Sequence, residues 1–390
     1  MGNDNLYPVF TAGVFLKHLE EPYIYNILND ELYEINDEAL EFLIKCDGIT
    51  PLSSLSFDNE FMDYCLEEKL LELAEIRIDN PKKPPVRKSP VPSLRYLELQ
   101  ITDRCNLACR HCYLGEPKGK ELTIQNIKDV FTQFEELQGL RMIVSGGEPM
   151  LHRDFAIINE EIKGRAFRAI LLTNGTIINE EKARNLNFQE VQISLDGLEE
   201  AHDHLRGKGN FKKAVKAAKI LIEMGIDVSA ATMITKMNAN DFEPLEAMLK
   251  DMGVKEWAVD VPAGTGFAAG GGGDIFLPSK EASLYLRYGY GGGLYQSTGE
   301  YACGAHLCAI TPDGSVCKCG FFADKPAGNI NADSLSDCWG RIEKQRFSEL
   351  ECGNCEYIAE CRGGCRFRAM LESSMNAPDS VKCFAYGIKK

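Results

Sequence analysis

Cys105-Asn106-Leu107-Ala108-Cys109-Arg110-His111-Cys112 is the stretch on which the reading of this chain turns. Three thiolates spaced C-x-x-x-C-x-x-C on one loop suit three corners of a cubane [4Fe–4S] cluster and leave the fourth iron without a protein ligand. An iron with a free position can bind a small molecule and pass it an electron, so the spacing points to catalysis rather than electron storage. A zinc site is the plainer alternative. It asks for a fourth Cys or His close by, and His111 and His152 are at hand.

Outward from this loop the chain alternates apolar strands with amphipathic helices. Strands are expected at 95–101, 141–145, 168–173, 189–195, 227–233 and 256–262. Thr123 should cap a helix that turns Ile127, Val130, Phe131, Phe134 and Leu137 inward, with Gly139 as its stop. Asn210 should cap another, carrying Phe211, Ala214, Val215, Ala218 and Leu221 and stopped by Gly225. Six βα repeats imply a parallel sheet with right-handed crossovers. The cysteine loop then follows the first strand, at the carboxyl edge where such sheets place ligands. Residues 263–273 are glycine-rich but lack the context of a dinucleotide site, and read as a flexible loop near that edge.

The C-x-x-x-C-x-x-C pattern resembles the signature of the radical S-adenosylmethionine (radical SAM) enzymes. Three further motifs at successive strand ends resemble the same family: Ser145-Gly146-Gly147-Glu148-Pro149, Thr173-Asn174-Gly175 and Ser194-Leu195-Asp196-Gly197. Each is weak alone; their order and placement make the match specific. The resemblance implies an α/β fold with a partial (β/α)6 barrel. It also implies a [4Fe–4S] cluster on Cys105, Cys109 and Cys112, whose open iron is chelated by SAM. Reduction then yields a 5′-deoxyadenosyl radical that abstracts hydrogen from substrate, with electrons from a flavodoxin or ferredoxin type donor. SAM would meet Gly146, Gly147 and Glu148 at its amino group, Thr173 and Asn174 at ribose or carboxylate, and Ser194 at the carboxylate. Arg206 could pair with that carboxylate, or lie exposed. His111 sits where the family often has an aromatic residue near adenine.

Fifteen cysteines without an export signal read as metal ligands rather than disulfides. Cys46 and Cys65 fall in apolar helical patterns and read as buried thiols. Ten lie between 303 and 383, and this stretch resembles the SPASM domain, which carries two auxiliary [4Fe–4S] clusters. The resemblance implies Cys303, Cys308, Cys319 and Cys365 on the first, and Cys352, Cys355, Cys361 and Cys383 on the second. Four thiolates each would leave no open iron. Cys317 and Cys319 are two apart on an expected strand, so either can reach the first cluster; the Gly314 spacing favours Cys319. Cys338 has no assigned role.

Residues 1–79 read as a small winged-helix-like domain. Strands at Tyr23–Leu28 and Glu31–Ile35 join through Asn29-Asp30. A helix capped by Asn36 or Asp37 turns Ala39, Leu40, Leu43 and Ile44 inward, and a second, about Asp58–Lys69, buries Phe61, Met62, Cys65 and Leu66. Leu71–Ile78 reads as a closing strand or helical extension. Through Tyr33-x-Ile35-Asn36-x-x-Ala39 and Cys46-Asp47-Gly48 this unit resembles the precursor-peptide recognition element of peptide-modifying enzymes, which binds a leader as an added strand. Residues 80–93 hold five prolines and read as an extended linker. The barrel then spans 94–290 and the auxiliary-cluster domain 291–390.

A formal charge of −15 argues against a nucleic-acid partner. No apolar run is long enough for a bilayer, and the N-terminus lacks the regions of a signal peptide; a cytoplasmic protein is expected. Together the resemblances imply a maturase that cross-links or oxidises side chains of a ribosomally made peptide. A tetrapyrrole or other cofactor precursor is the alternative substrate, and a non-enzymatic electron carrier the third reading. No catalytic base stands out; Asp260, Asp274 and Tyr288 lie near the cavity in sequence.

Overall fold

The computed structural model describes residues 6–78, 86–271, 275–293 and 299–388. Strand β1 (Tyr7–Phe10) pairs antiparallel with β5 (Leu71–Ala74), while β2 (Val14–His18), β3 (Pro22–Asn26) and β4 (Glu31–Glu34) form a three-stranded antiparallel sheet. Between β4 and β5 lie two helices. In α1 (Asp37–Ile44) the Asn36 side chain accepts from the Ala39 N–H, and in α2 (Asn59–Glu67) Asp58 accepts from the Glu60 and Phe61 N–H groups. Phe42, rather than Ile44, completes the inward face of α1: it packs on Phe57 and Phe61, and Ile44 is 52% exposed.

The six expected strands form, within a residue or two of their expected bounds. They are β6 (Tyr96–Thr102), β7 (Arg141–Gly146), β8 (Arg168–Thr173), β9 (Glu190–Ser194), β10 (Asp227–Met233) and β11 (Glu256–Asp260). They lie side by side in sequence order and all pair in parallel. The connecting helices are α3 (Ile124–Glu136), α4 (Phe155–Glu161), α5 (Glu180–Arg184), α6 (Glu199–Arg206), α7 (Asn210–Glu223) and α8 (Phe242–Met252). Parallel order brings every β-to-α loop to one edge, and the cysteine loop is the first of them.

Two helix ends depart from expectation. Thr123 caps α3 as expected, but Gln138 (φ 64°), not Gly139, takes the left-handed position after it. Gly139 is required by packing instead: a Cβ there would stand 2.1 Å from the Phe134 ring. At α7 the cap is Gly209, and Asn210 is the first helical residue. The capping oxygens come from the preceding helix, since Asp203 accepts from the Gly209 and Phe211 N–H groups. Asn210 instead donates to the Arg206 carbonyl.

After β11 come α9 (Phe267–Gly271) and α10 (Ser279–Ala282), then β12 (Leu307–Ile310), β13 (Ser315–Cys317) and β14 (Gly328–Asn329). These strands continue the barrel sheet: β12 adds parallel to β6, and β13 and β14 follow antiparallel, for nine strands in all among the described residues. Helices α11 (Leu335–Arg341), α12 (Ile358–Cys361), α13 (Arg366–Glu372) and α14 (Ser380–Ala385) complete the C-terminal part. Of the expected linker, 80–85 lie outside the described residues. Within 86–93, Ser89, Pro92 and Ser93 are buried and tie the segment down. The Ser89 N–H donates to the His18 carbonyl and its hydroxyl to the Leu137 carbonyl, and the Pro92 carbonyl accepts from Trp339 Nε1. Among the described residues no helix is long and apolar enough to cross a membrane.

Candidate active site

The edge of β6 sets the site. Gly147 N–H donates to the Thr102 carbonyl and Glu148 N–H to the Arg104 carbonyl, so the loop after β7 lies directly on the start of the cysteine loop. A Cβ on Gly146 would stand 2.2 Å from the Thr102 carbonyl oxygen, and one on Gly147 would stand 2.3 Å from that of Arg104. The double glycine is therefore fixed by backbone approach before any ligand is considered.

Cys105, Cys109 and Cys112 line one cavity of about 240 Å³, together with His111, Gly146, Gly147, Thr173, Asn174, Ser194 and Arg206. All but one of the residues assigned to SAM from sequence are thus brought together. The loop is tied down from three sides. Asn174 donates to the Asn106 side chain, the Arg110 N–H to the Leu205 carbonyl, and the Phe267 N–H to the Cys112 carbonyl. The last bond brings the glycine-rich segment against the third cysteine; residues 272–274, and with them Asp274, lie outside the described residues. Burial raises the Cys109 thiol to about 11 against the pull of the Arg206 guanidinium, so a bound metal is what would hold it as thiolate. Among the described residues no three His, Cys, Asp or Glu side chains converge on one ion-sized position.

Glu148 is the exception. It is fully buried behind the wall, where its carboxylate accepts from the Thr173 hydroxyl and the Asn174 N–H. Burial raises its carboxyl, and those hydrogen bonds oppose the rise. It joins the loops after β7 and β8 and does not face the cavity. Tyr288 likewise belongs to an aromatic cluster with Phe242, Trp257 and Tyr285, away from the cavity lining.

Asp196, two residues beyond Ser194, organises the opposite wall. Its carboxylate accepts from Arg206 Nε at 2.5 Å and from the Met233 N–H at 2.7 Å, and stands 3.1 Å from His111 Nε2. Burial pushes this carboxyl up, but Arg206, His111 and the Met233 N–H outweigh it and hold it well below the ordinary carboxylate range. Arg206 is thereby neither exposed nor free: Nη1 reaches to 3.9 Å from Cys109 Sγ. His111 is buried with its Nδ1 unpartnered among the described residues.

A second cavity, of about 510 Å³, shares Glu98, Tyr113, Leu172 and Phe321 with the first. Cys303, Cys319, Cys361 and Cys365 line it, ringed by Lys318, Arg362, Arg366 and Arg368. Asp260 faces it and pairs with Arg368. Cys352 and Cys355 share a turn in which the Cys355 N–H donates to the Cys352 carbonyl. Cys361 ends α12 and feels Cys352 and Lys382, the residue before Cys383 on α14. Cys308 is not brought to the first group. It points to the other face of β12, into the barrel core with Cys338 and Trp339. Cys317 is buried with its thiol turned to the Ala309 and Cys319 carbonyls.

The radical SAM superfamily model matches residues 99–252. Mycofactocin maturase MftC of Mycolicibacterium smegmatis is 31% identical over 307 residues, 69% of this chain and 77% of that protein. This chain belongs to the radical SAM superfamily. The AdoMet-dependent heme synthase of Oleidesulfovibrio alaskensis is 27% identical over 341 residues, 75% of this chain and 87% of that protein. Among solved structures, Streptococcus suis SuiB bound to its precursor peptide SuiA shares the fold with a TM-score of 0.69 at 15% identity, over 96% of this chain and 99% of that one.

This radical SAM enzyme therefore carries a SAM-binding [4Fe–4S] cluster and uses SAM. The donor set fits both. Three cysteine thiols share a cavity with an unpartnered buried imidazole nitrogen, and glycine backbone lies open on one side. Sequence reasoning missed Asp196, Glu98 and Tyr113. Asp196 lay inside a quoted motif, but its partners His111 and Arg206 stand on other loops, and only the fold joins them.

Proposed function

We propose that this radical SAM enzyme is a maturase that cross-links or oxidises side chains of a ribosomally synthesised peptide, with SAM and three [4Fe–4S] clusters. The observation that carries the reading is the fold match over nearly the entire chain, N-terminal unit included, to a protein solved with its precursor peptide. Identity to a mycofactocin maturase supports it. Cys105, Cys109 and Cys112 hold the SAM cluster. Cys303, Cys319 and Cys365 serve the first auxiliary cluster, and Cys352, Cys355, Cys361 and Cys383 the second.

Held by Cys105, Cys109 and Cys112, the cluster with SAM would supply the one-electron chemistry able to take hydrogen from an unactivated carbon. The chain's own part is to bind and orient. Gly146 and Gly147 present backbone to the methionine amino group, and Thr173 and Asn174, held by Glu148, form the next wall. Ser194 and Arg206 meet the SAM carboxylate, with Arg206 aimed by Asp196. His111 Nδ1 offers a further polar contact. The unit at 1–79 receives the leader, with β4 as the strand to be extended, and a flavodoxin or ferredoxin type protein delivers electrons.

The test is anaerobic incubation of the reconstituted enzyme, SAM and dithionite with the small peptide encoded beside its gene. A mass loss in the peptide together with 5′-deoxyadenosine release is the expected result. Conversion of an iron-coproporphyrin with the peptide left unchanged would assign the enzyme to the tetrapyrrole alternative. Absence of 5′-deoxyadenosine from fully iron-loaded protein with either substrate would leave an electron carrier.

A further inference from the structure

Among the described residues two carboxylates line the SAM cavity, Glu98 and Asp103. Both Asp103 oxygens are taken by backbone, one by the Lys118 N–H and the other by the Lys120 N–H. Glu98 is arranged differently. It lies in β6 opposite Ile143 of β7 and Ala309 of β12. Side chains alternate along a strand, so while Leu97 and Leu99 enter the main hydrophobic core, Glu98 turns to the other face of the sheet. There it lines the second cavity as well as the first.

Neutral groups fasten one of its oxygens. Oε1 accepts from the Ser145 hydroxyl at 2.9 Å, from Gln100 Nε2 at 3.1 Å and from the Tyr113 hydroxyl at 3.2 Å. The Tyr113 ring packs on Phe321, with centroids 4.9 Å apart, which steadies this clamp. Oε2 accepts from no group among the described residues, and no cation of those residues pairs with this carboxylate. Gly320 approaches it from the C-terminal part. A Cβ there would stand 2.9 Å from Oε2, so the missing side chain leaves that oxygen uncovered. The carboxylates that tie the site together use both oxygens: Glu148 accepts from the Met150 and Asn174 N–H groups on separate oxygens, and Asp196 from Arg206 and the Met233 N–H. A carboxylate clamped by one oxygen, with the other free at a cavity wall and no cation beside it, is placed to receive a proton.

We propose that Glu98 is the proton acceptor of the reaction, and that its Oε2 takes the proton from the peptide group X–H whose X becomes bonded to the carbon that loses hydrogen. X is nitrogen, oxygen, sulfur or an aromatic carbon. The proposal rests on the maturase reading above. Cross-linking or oxidising a side chain breaks a C–H and an X–H bond and forms a C–X bond, single or double. The hydrogen atom from carbon ends in 5′-deoxyadenosine. The proton from X goes to Glu98, the electron pair it leaves makes the new bond, and the odd electron passes to an iron–sulfur centre. Glu98 stands on the wall that the two cavities share with Tyr113, Leu172 and Phe321, so a side chain reaching from one cavity to the other meets the free oxygen.

The experiment uses the full-length reconstituted enzyme with SAM, dithionite and the small peptide encoded beside its gene, deuterated on carbon. Deuterated 5′-deoxyadenosine reports hydrogen abstraction, and mass loss in the peptide reports the completed bond. A wild-type enzyme that yields neither would remove the maturase reading on which the proposal rests. With wild type active, E98Q should still release deuterated 5′-deoxyadenosine at close to the wild-type rate, while mass loss slows about a hundredfold or more. Fluorescence anisotropy should give the iron-free E98Q protein the same peptide affinity as wild type, because a proton acceptor acts after binding. E98A leaves room for a small carboxylate, and added formate should restore part of its mass loss. Mass loss by E98Q at the wild-type rate, joint loss of both products, weakened peptide binding, or an E98A variant indifferent to formate would each overturn the proposal. Failure of both variants to fold would make Glu98 a structural residue and overturn it as well.

Discussion

Asp196 shows how much of this site hangs on a single carboxylate. It is fully buried, and it faces the Arg206 guanidinium, the His111 ring and the Met233 N–H. Asp196→Asn would keep the shape and leave Arg206 uncompensated, and breaking a buried ion pair in this way costs about 3–5 kcal/mol. The expected outcome is a urea midpoint lowered accordingly and SAM affinity weakened by an order of magnitude or more, read by anaerobic equilibrium dialysis. Unchanged SAM affinity would show that Arg206 is positioned by something else. His202 gives a second handle. Burial, together with the nearby Arg206, lowers it to about 4 from 6.5, and its Nδ1 accepts from the Asp196 N–H. Between those two values the unfolded chain binds a proton that the folded chain refuses. Stability is therefore full above pH 6.5 and falls as pH drops toward 4. By pH 5 the loss should be about 2 kcal/mol, and H202Q should flatten that slope in thermal melts. That Cys105, Cys109 and Cys112 would share one cavity with Gly146, Gly147, Thr173, Asn174 and Ser194 was legible because family motifs are local in sequence. Asp196 and Cys308 were not, because one depends on partners from other loops and the other on strand register.

At the scale of the element, the six barrel strands were readable from apolar runs and capped helices alone. Strands β1 and β2 were not. In β2 the polar Lys17 points inward and is 1% exposed, which spoils the alternation that marks a strand. Its Nζ donates to the Gly139 carbonyl after α3 and to the Ala166 carbonyl before β8, so β2 is pinned to the underside of the barrel. Burial lowers this ammonium to about 7, against the pull of Glu135. Between pH 7 and 10.5 the unfolded chain holds a proton that the folded chain has released. Stability should therefore rise with pH across that window, by at most about 1.4 kcal/mol per unit. The neutral amine still has hydrogens for both carbonyls, so nothing offsets the gain. Lys17→Met should abolish the slope between pH 7.5 and 9 in denaturant titrations. It should also cost about 1–3 kcal/mol at pH 9, where two carbonyls lose their donor. A slope that persists in the variant would place the titration elsewhere.

The whole molecule is less modular than its sequence suggests. A boundary near 290 divides the barrel from the cysteine-rich part by composition, yet the sheet crosses it: β12 pairs with β6 through Leu307–Ile310 against Tyr96–Leu99. The segment before β6 is bound just as closely, since Trp339 Nε1 donates to the Pro92 carbonyl and His306 Nδ1 lies 2.8 Å from the Ser93 carbonyl. Such pairing is parallel and spans two hundred residues, so no local pattern announces it. Its consequence can be tested by a chain that ends after residue 290. Removing β12 would uncover the backbone edge of β6, the strand that delivers the cysteine loop, and would expose Leu97 and Leu99, which are fully buried in the intact chain. An uncovered apolar edge strand is an aggregation site. The shortened chain should therefore collect in the pellet, or unfold without cooperativity by circular dichroism, even though every motif of the SAM site is retained. If it instead stays monomeric in sedimentation and still binds SAM after reconstitution, the barrel closes without its C-terminal neighbour, and the cysteine-rich part is an appended domain.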